Sequence, residues 1–192
     1  MITRRTAILA AGALAFPRVS WTAELGDDGL HKQPWFTDSF LELDDDLTTA
    51  QDEGRYLMVL FEQAGCPYCR ELHEVNFERV EIVDYLTSNF DVIQLDLWGA
   101  REVLDFDGAA LEERNLAAKW AVNFTPSTVI FGRDENGVAK ELFRLPGYFK
   151  PFHFLSSLEY VVSESYSNQP FQRFLQDKFA DLRAKGIDPD VW

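Results

Sequence analysis

Leu57-Met58-Val59-Leu60-Phe61-Glu62-Gln63-Ala64-Gly65-Cys66-Pro67-Tyr68-Cys69-Arg70 is the stretch on which the reading of this chain turns. Its first half closes Arg55 to Glu62, a compact apolar run of strand length and the pattern of a strand buried on both faces. Gly65 breaks the run. Tyr68 to Phe77 is polar and helical in pattern, and Pro67 stands where a first-turn proline belongs, so Cys66 falls at a helix N-terminus. Unpaired backbone N–H groups and the positive dipole end stabilise a thiolate there. The spacing brings Cys69 back towards Cys66 on the first turn. Cys66, at the tip, is then the attacking thiol of disulfide exchange, and Cys69, pointing into the turn, resolves the mixed disulfide.

Two other uses of the pair are weaker. The chain has only two cysteines, and a bridge across two intervening residues closes too short a loop to constrain the unfolded chain. Zinc sites use the same spacing but need two further ligands. His73, four residues after Cys69, lies on the same helical face, whereas His31 and His153 are isolated. The CxxC-as-ligand reading, a metal-binding or scaffold domain, is therefore incomplete, and no cofactor is assigned. His73 reads as a surface or rim residue of the active-site helix.

Outside this stretch, composition narrows the class. The 192 residues are 46% hydrophobic, with sixteen Phe, enough for one well-buried domain. A net charge of −14 repels phosphate backbones and anionic lipid heads, which disfavours nucleic acid and membrane surfaces. Met1 to Arg5 is basic, Thr6 to Phe16 is apolar, and Ala13-Leu14-Ala15 or Trp21-Thr22-Ala23 offers a small-residue cleavage box. That combination describes a secretory signal peptide over residues 1–23. The apolar run Thr6 to Phe16, eleven residues, is shorter than the roughly 20 apolar residues of a transmembrane span. Arg4-Arg5 also fits a twin-arginine signal, so the Sec and Tat routes both stay open. Periplasmic location follows as an expectation, without membrane insertion once the signal is removed.

The remaining organisation is a linker over 24–34, one domain over 35–186 and a tail over 187–192. Trp35 to Gly54 is expected to be helical with Asp38 or Ser39 as cap, Asp44-Asp45-Asp46 forming a solvated helix face. Val80 to Phe90 reads as a helix and Asp91 to Leu97 as a strand. Trp98 to Ala109 reads as a loop or insertion, and Ala110 to Val122 as a helix. Ser127 to Phe131 and Lys140 to Leu145 are strands across the Asn136-Gly137 hairpin signal. Pro151 to Tyr166 and Pro170 to Lys185 are helices whose Phe152-Phe154-Leu155 and Phe171-Phe174-Leu175 clusters are core material. Asn123-Phe124-Thr125 matches a glycosylation sequon and is read as incidental. Helices alternating with buried strands and closing on a hairpin suggest an α/β domain with a mixed sheet between helical layers.

Strand, CxxC and helix, followed by Thr125-Pro126 before a later hairpin, resembles the thioredoxin superfamily. The resemblance implies a thioredoxin fold: a central mixed β-sheet flanked by helices, here with an insertion before the cis-proline strand and an extra C-terminal helix. It makes Pro126 the cis-proline facing the CxxC and Thr125 the neighbour whose backbone pairs with substrate. Pro67 and Tyr68 join them as substrate-contacting residues. Phe61 to Arg70, Leu95 to Gly99 (LDLWG), Asp105-Phe106-Asp107-Gly108, Phe124-Thr125-Pro126 and Pro146-Gly147-Tyr148 are similar to the SoxW-type periplasmic thioredoxins of bacterial sulfur oxidation. That implies a protein-disulfide reductase supplied with electrons by a membrane thiol transporter, with the sulfur-carrier protein of that system as partner.

Departures from the family leave two questions. The buried Asp that assists the resolving cysteine in thioredoxins aligns with Leu60. Glu62 is the nearest carboxylate able to do that proton work, although a solvated strand-end Glu fits the sequence equally. Cys-Pro-Tyr-Cys is also the glutaredoxin dipeptide, which would place the potential nearer about −200 to −230 mV than the roughly −270 mV of thioredoxin. A DsbA- or DsbC-like oxidase or isomerase is therefore the alternative to the reductase. A glutaredoxin proper would be much shorter, and no glutathione-binding signature follows Thr125-Pro126.

Overall fold

The computed structural model describes residues 24–188; the expected signal peptide and residues 189–192 of the expected tail lie outside them. The first described residues form a small antiparallel hairpin, β1 (Glu24–Leu25) and β2 (His31–Lys32). Leu30 between them is buried, so the stretch expected to be a linker is packed structure. An extended passage leads to α1 (Leu43–Asp52), β3 (Tyr56–Glu62) and α2 (Pro67–Glu71). The last of these widens into a π turn over Leu72–Asn76. Then come α3 (Val80–Asn89), β4 (Phe90–Asp96), a second hairpin of β5 (Glu102–Leu104) and β6 (Ala110–Glu112), and α4 (Glu113–Lys119). β7 (Ser127–Arg133), β8 (Ala139–Pro146), α5 (Pro151–Val162) and α6 (Phe171–Ala184) complete the chain.

Four strands make the central sheet in the order β4-β3-β7-β8. β3 runs parallel to β4 and antiparallel to β7, and β8 pairs antiparallel with β7. Because successive side chains alternate faces, the unbroken apolar run of β3 feeds two cores. Leu57, Val59 and Phe61 pack with Leu43 and Leu47 of α1 and Leu116 of α4. Met58 and Leu60 pack with Leu72, Phe77, Leu86, Phe154 and Leu158 on the other side. Glu62, two residues beyond Leu60, continues that second row and is therefore aimed under the helix that carries the cysteines.

Three expected elements are corrected. The first helix starts at Leu43 rather than Trp35, because Trp35 and Phe36 are held edge-on against Phe77, with ring centroids 5.0 and 6.2 Å away. Thr37 is tied to Val92 by N–H···O bonds of 2.8 and 3.1 Å. Neither Asp38 nor Ser39 caps the helix; Glu42 occupies the cap position without a side-chain bond. The expected loop over Trp98 to Ala109 contains β5, and the helix expected from Ala110 begins only at Glu113, after β6. Glu113 is buried and accepts from the backbone N–H of Asp96 and Arg101 and from the Arg101 guanidinium. Gly99 admits this carboxylate: a Cβ there would stand 2.0 Å from Glu113 Oε2. The insertion is thus pinned to the end of β4.

Candidate functional site: a dithiol at a helix tip with a buried carboxylate–histidine pair beneath it

The turn between β3 and α2 places the cysteines. Gly65 takes a positive φ of 71°, a conformation that disfavours side-chain-bearing residues. Cys66 caps α2, its Sγ accepting from the Cys69 N–H at 3.0 Å, and Pro67 opens the first turn. Cys66 and Cys69 are joined as a disulfide with Cα atoms 5.2 Å apart. Both are buried, Cys69 almost completely. Across the gap, the Thr125–Pro126 peptide is cis. The Thr125 hydroxyl lies 3.4 Å from Cys66 Sγ, close enough to donate to it, and the Thr125 carbonyl oxygen lies 3.6 Å away. Pro126 is buried and Thr125 half-buried at the start of β7.

Around this opening the surface is aromatic. Trp98 (69% exposed), Phe124 (64%) and Tyr68 (58%) stand out from the fold. With Tyr148, Thr125 and Gln63 they line a groove of about 550 Å³. Tyr68 stacks on Tyr148 with ring centroids 6.2 Å apart, and Trp98 donates its indole N–H to Gln63 at 2.8 Å. Burial, with the Glu71 charge assisting, pushes the Tyr148 phenol above its ordinary 10. It therefore stays a hydroxyl donor, to Asn76 Oδ1 at 3.1 Å. Pro67 is exposed at the tip.

Beneath the cysteines the site is polar and buried. Glu62 is 1% exposed and His73 is fully buried, which corrects the expectation of a rim histidine. His73 Nε2 lies 3.1 and 3.2 Å from the two Glu62 oxygens, and its Nδ1 lies 3.1 Å from the Gln33 side-chain amide. Gln94 donates a short hydrogen bond to Glu62 Oε2 and another to the His31 carbonyl at 2.7 Å, and accepts from Lys32 Nζ at 2.7 Å. Both ring nitrogens of His73 are thus engaged. Among the described residues no three His, Cys, Asp or Glu side chains gather closely enough to hold a metal ion.

A parallel–antiparallel sheet, a dithiol at a helix tip and a facing cis-proline together define a thioredoxin-like thiol-disulfide oxidoreductase fold. Residues 43–162 match the thioredoxin-like domain family, more than half of the chain, and the chain belongs to that family. It is similar in fold to a thioredoxin-fold protein from Helicobacter pylori (24% identity, TM-score 0.54), covering 67% of this chain and 81% of that one. A thioredoxin from Thermus thermophilus shares 27% identity over 62% of this chain and 83% of its own, with TM-score 0.49. The oxidised C-terminal domain of Neisseria meningitidis DsbD shares 16% over 65% and 96%, with TM-score 0.45. None of the curated proteins compared with the chain matches it significantly.

Sequence reasoning brought Cys66, Cys69, Thr125, Pro126, Pro67 and Tyr68 together at one place, and the structure puts them there. It put His73 at the rim, gave Trp98, Phe124 and Tyr148 no role beyond the motifs that carry them, and missed Gln33 and Gln94. For Gln94 a signal existed: a lone amide inside the otherwise buried DVIQLDL strand needs a buried polar partner.

Proposed function

We propose that this protein is an exported, SoxW-like protein-disulfide reductase. The observation that carries the reading is the Cys66–Cys69 pair at the N-terminus of α2, opposite Thr125-Pro126 and beside an aromatic groove that Tyr68 and Thr125 help to line. In the reduced protein, Cys66 attacks one sulfur of a partner disulfide, and the partner's other sulfur leaves as a thiol. Cys69 then attacks Cys66 Sγ, closing the 66–69 disulfide and releasing the second partner thiol. The Thr125 hydroxyl and the helix N-terminus favour the Cys66 thiolate. Tyr68, Phe124 and Trp98 receive the apolar residues flanking the partner's cysteine, and the Thr125 backbone pairs with its chain.

The signal-like residues 1–23 support a periplasmic setting, reached by the Sec or Tat route. In that setting a membrane thiol transporter re-reduces the pair, and a sulfur-carrier protein of a sulfur-oxidation system is the substrate. Two experiments test this. Cys66→Ser is expected to abolish reduction of insulin disulfides; retention of full activity would refute the reading. Cys69→Ser is expected to trap a mixed disulfide with the sulfur carrier in periplasmic extracts. Recovery of many unrelated folding substrates would instead identify the oxidase or isomerase that the Pro67-Tyr68 dipeptide also permits.

A further inference from the structure

Among the described tryptophans, Trp35 and Trp120 are half-buried and Trp98 stands exposed. Backbone and side chain both hold it in that position. The Trp98 N–H donates to Asp96 Oδ1 at 3.0 Å, and the Gly99 N–H donates to the Asp96 carbonyl at 3.0 Å. These bonds close a turn with Leu97 and Trp98 at its centre. Leu97 is buried and donates its N–H to the Glu62 carbonyl at 2.8 Å, which ties the turn to the end of β3. The indole N–H then donates to Gln63 Oε1 at 2.8 Å. A free tryptophan would lose rotamer freedom when a partner docks; this ring is set beforehand.

Gln63 has a second contact. Its backbone carbonyl accepts the Cys66 N–H at 3.3 Å, across Ala64 and Gly65. One residue thus holds the turn that carries the attacking sulfur by its main chain and the groove wall by its side chain. We propose that Gln63 is a positioning residue that fixes Trp98 at a set distance from Cys66. The protein then selects polypeptide disulfides that carry a bulky apolar residue at one fixed spacing from their cysteine. The inference rests on the thiol-disulfide reading of the site and names its partner class.

The lining of the groove says what occupies it. Among the described residues none that lines it carries a charge, although the chain as a whole is at −14. A charged side chain entering there would lose water without gaining a counter-charge. An aromatic or large aliphatic one gains ring contact with Trp98 and Phe124. Spacing follows from the partner's own geometry. Successive side chains of an extended segment face opposite ways. With the partner cysteine held at Cys66, only alternate positions face the indole, and reach picks one of them. A docked segment also takes water away from the Trp98–Gln63 bond and so strengthens it. The wall is firmest when it is occupied.

A scan of peptide disulfides tests this. The probes are dimers of an uncharged, glycine-rich peptide joined through its single cysteine, with one Phe moved along the positions on either side, and a Phe-free parent. Each is reduced in competition with the parent, so the ratio of kcat/KM values does not depend on how much of a variant is folded. Wild type should favour Phe on the order of tenfold at one position and little at the positions next to it. Gln63→Met, similar in length but without the acceptor, should lower that peak about fivefold, the size of one net hydrogen bond. Gln63→Glu, which keeps an acceptor oxygen, should restore it. Trp98→Phe loses the N–H, so adding Gln63→Met to it should change nothing further. A flat wild-type profile overturns the inference, as does a wild-type peak in Gln63→Met. Failure of Gln63→Glu to restore the peak, or additive losses in the double variant, overturns it equally. Reduction of every peptide without a peak leaves the thiol-disulfide reading standing, whereas full activity in Cys66→Ser refutes that reading itself.

Discussion

His31 sits between solvent and the buried His73 ring, 5.3 Å away centroid to centroid. Burial first, and then His73, hold its imidazole below 6.5, with Glu62 pulling the other way. The folded chain thus binds this proton less readily than the unfolded chain. The His31 contribution is undiminished above pH 6.5 and declines as pH falls below it through the lowered folded value. Between pH 7 and 5, Tm should consequently fall less in His31→Gln than in wild type, as followed by circular dichroism. Parallel curves would show that His31 titrates as if unfolded. Other residues differ in how far the sequence reveals them. Cys66 and Cys69 were legible because reactivity at a helix tip is local chemistry. Glu62 was ambiguous, since a carboxylate ending a strand is solvated unless something covers it. What covers it is Gln94 and His73, the latter held in turn by Gln33, from three separate stretches of chain. No local pattern encodes that meeting.

The π turn at Leu72–Asn76 does at the element scale what no single residue does. Its extra residue per turn brings Leu72, His73 and Asn76 all to the buried side, and such turns recur at functional sites. Asn76 then donates to the Phe149 carbonyl at 3.0 Å and accepts from the Tyr148 hydroxyl. The cysteine helix is thereby fastened to the Gly147–Tyr148 wall of the groove. Asn76→Ala leaves a half-buried carbonyl and a half-buried phenol without this partner, a cost of about 1 kcal/mol or more. At about 2–4 °C per kcal/mol for a chain of this size, Tm should drop by several degrees. The freed wall should raise KM for a protein disulfide while leaving the rate with a small aromatic disulfide unchanged. A variant with lowered Tm and unaltered KM would make the turn structural only. The strands were readable in sequence from their apolar runs, because β3, β4 and β7 are buried on both faces. The start of α1 was not, because Trp35 and Phe36 leave the helical pattern for tertiary packing on Phe77. The β5–β6 hairpin was hidden for a related reason: its strands are three residues each, too short to show a period.

At the scale of the whole molecule, the net charge predicts which partners reach the groove fastest. The net −14 already includes three arginines, Arg4, Arg5 and Arg18, within residues 1–23, a stretch with no acidic residue. Removal of that stretch would leave a still more acidic protein. Its attacking group is a thiolate, so an anionic partner meets repulsion from both the surface and the reacting atom. The aromatic groove supplies apolar contact without sign. Selectivity between partners of opposite charge therefore rests on the long-range field, which acts on encounter rate more than on the bound complex. Two short disulfides alike in apolar content, one flanked by lysines and one by glutamates, should separate on this basis. At about 10 mM salt, where the Debye length is about 30 Å, the cationic disulfide should be reduced on the order of tenfold faster. At about 1 M, with a Debye length near 3 Å, the two rates should converge. A tenfold preference that survived high salt would mean that contacts within the groove, and not the field, choose the partner.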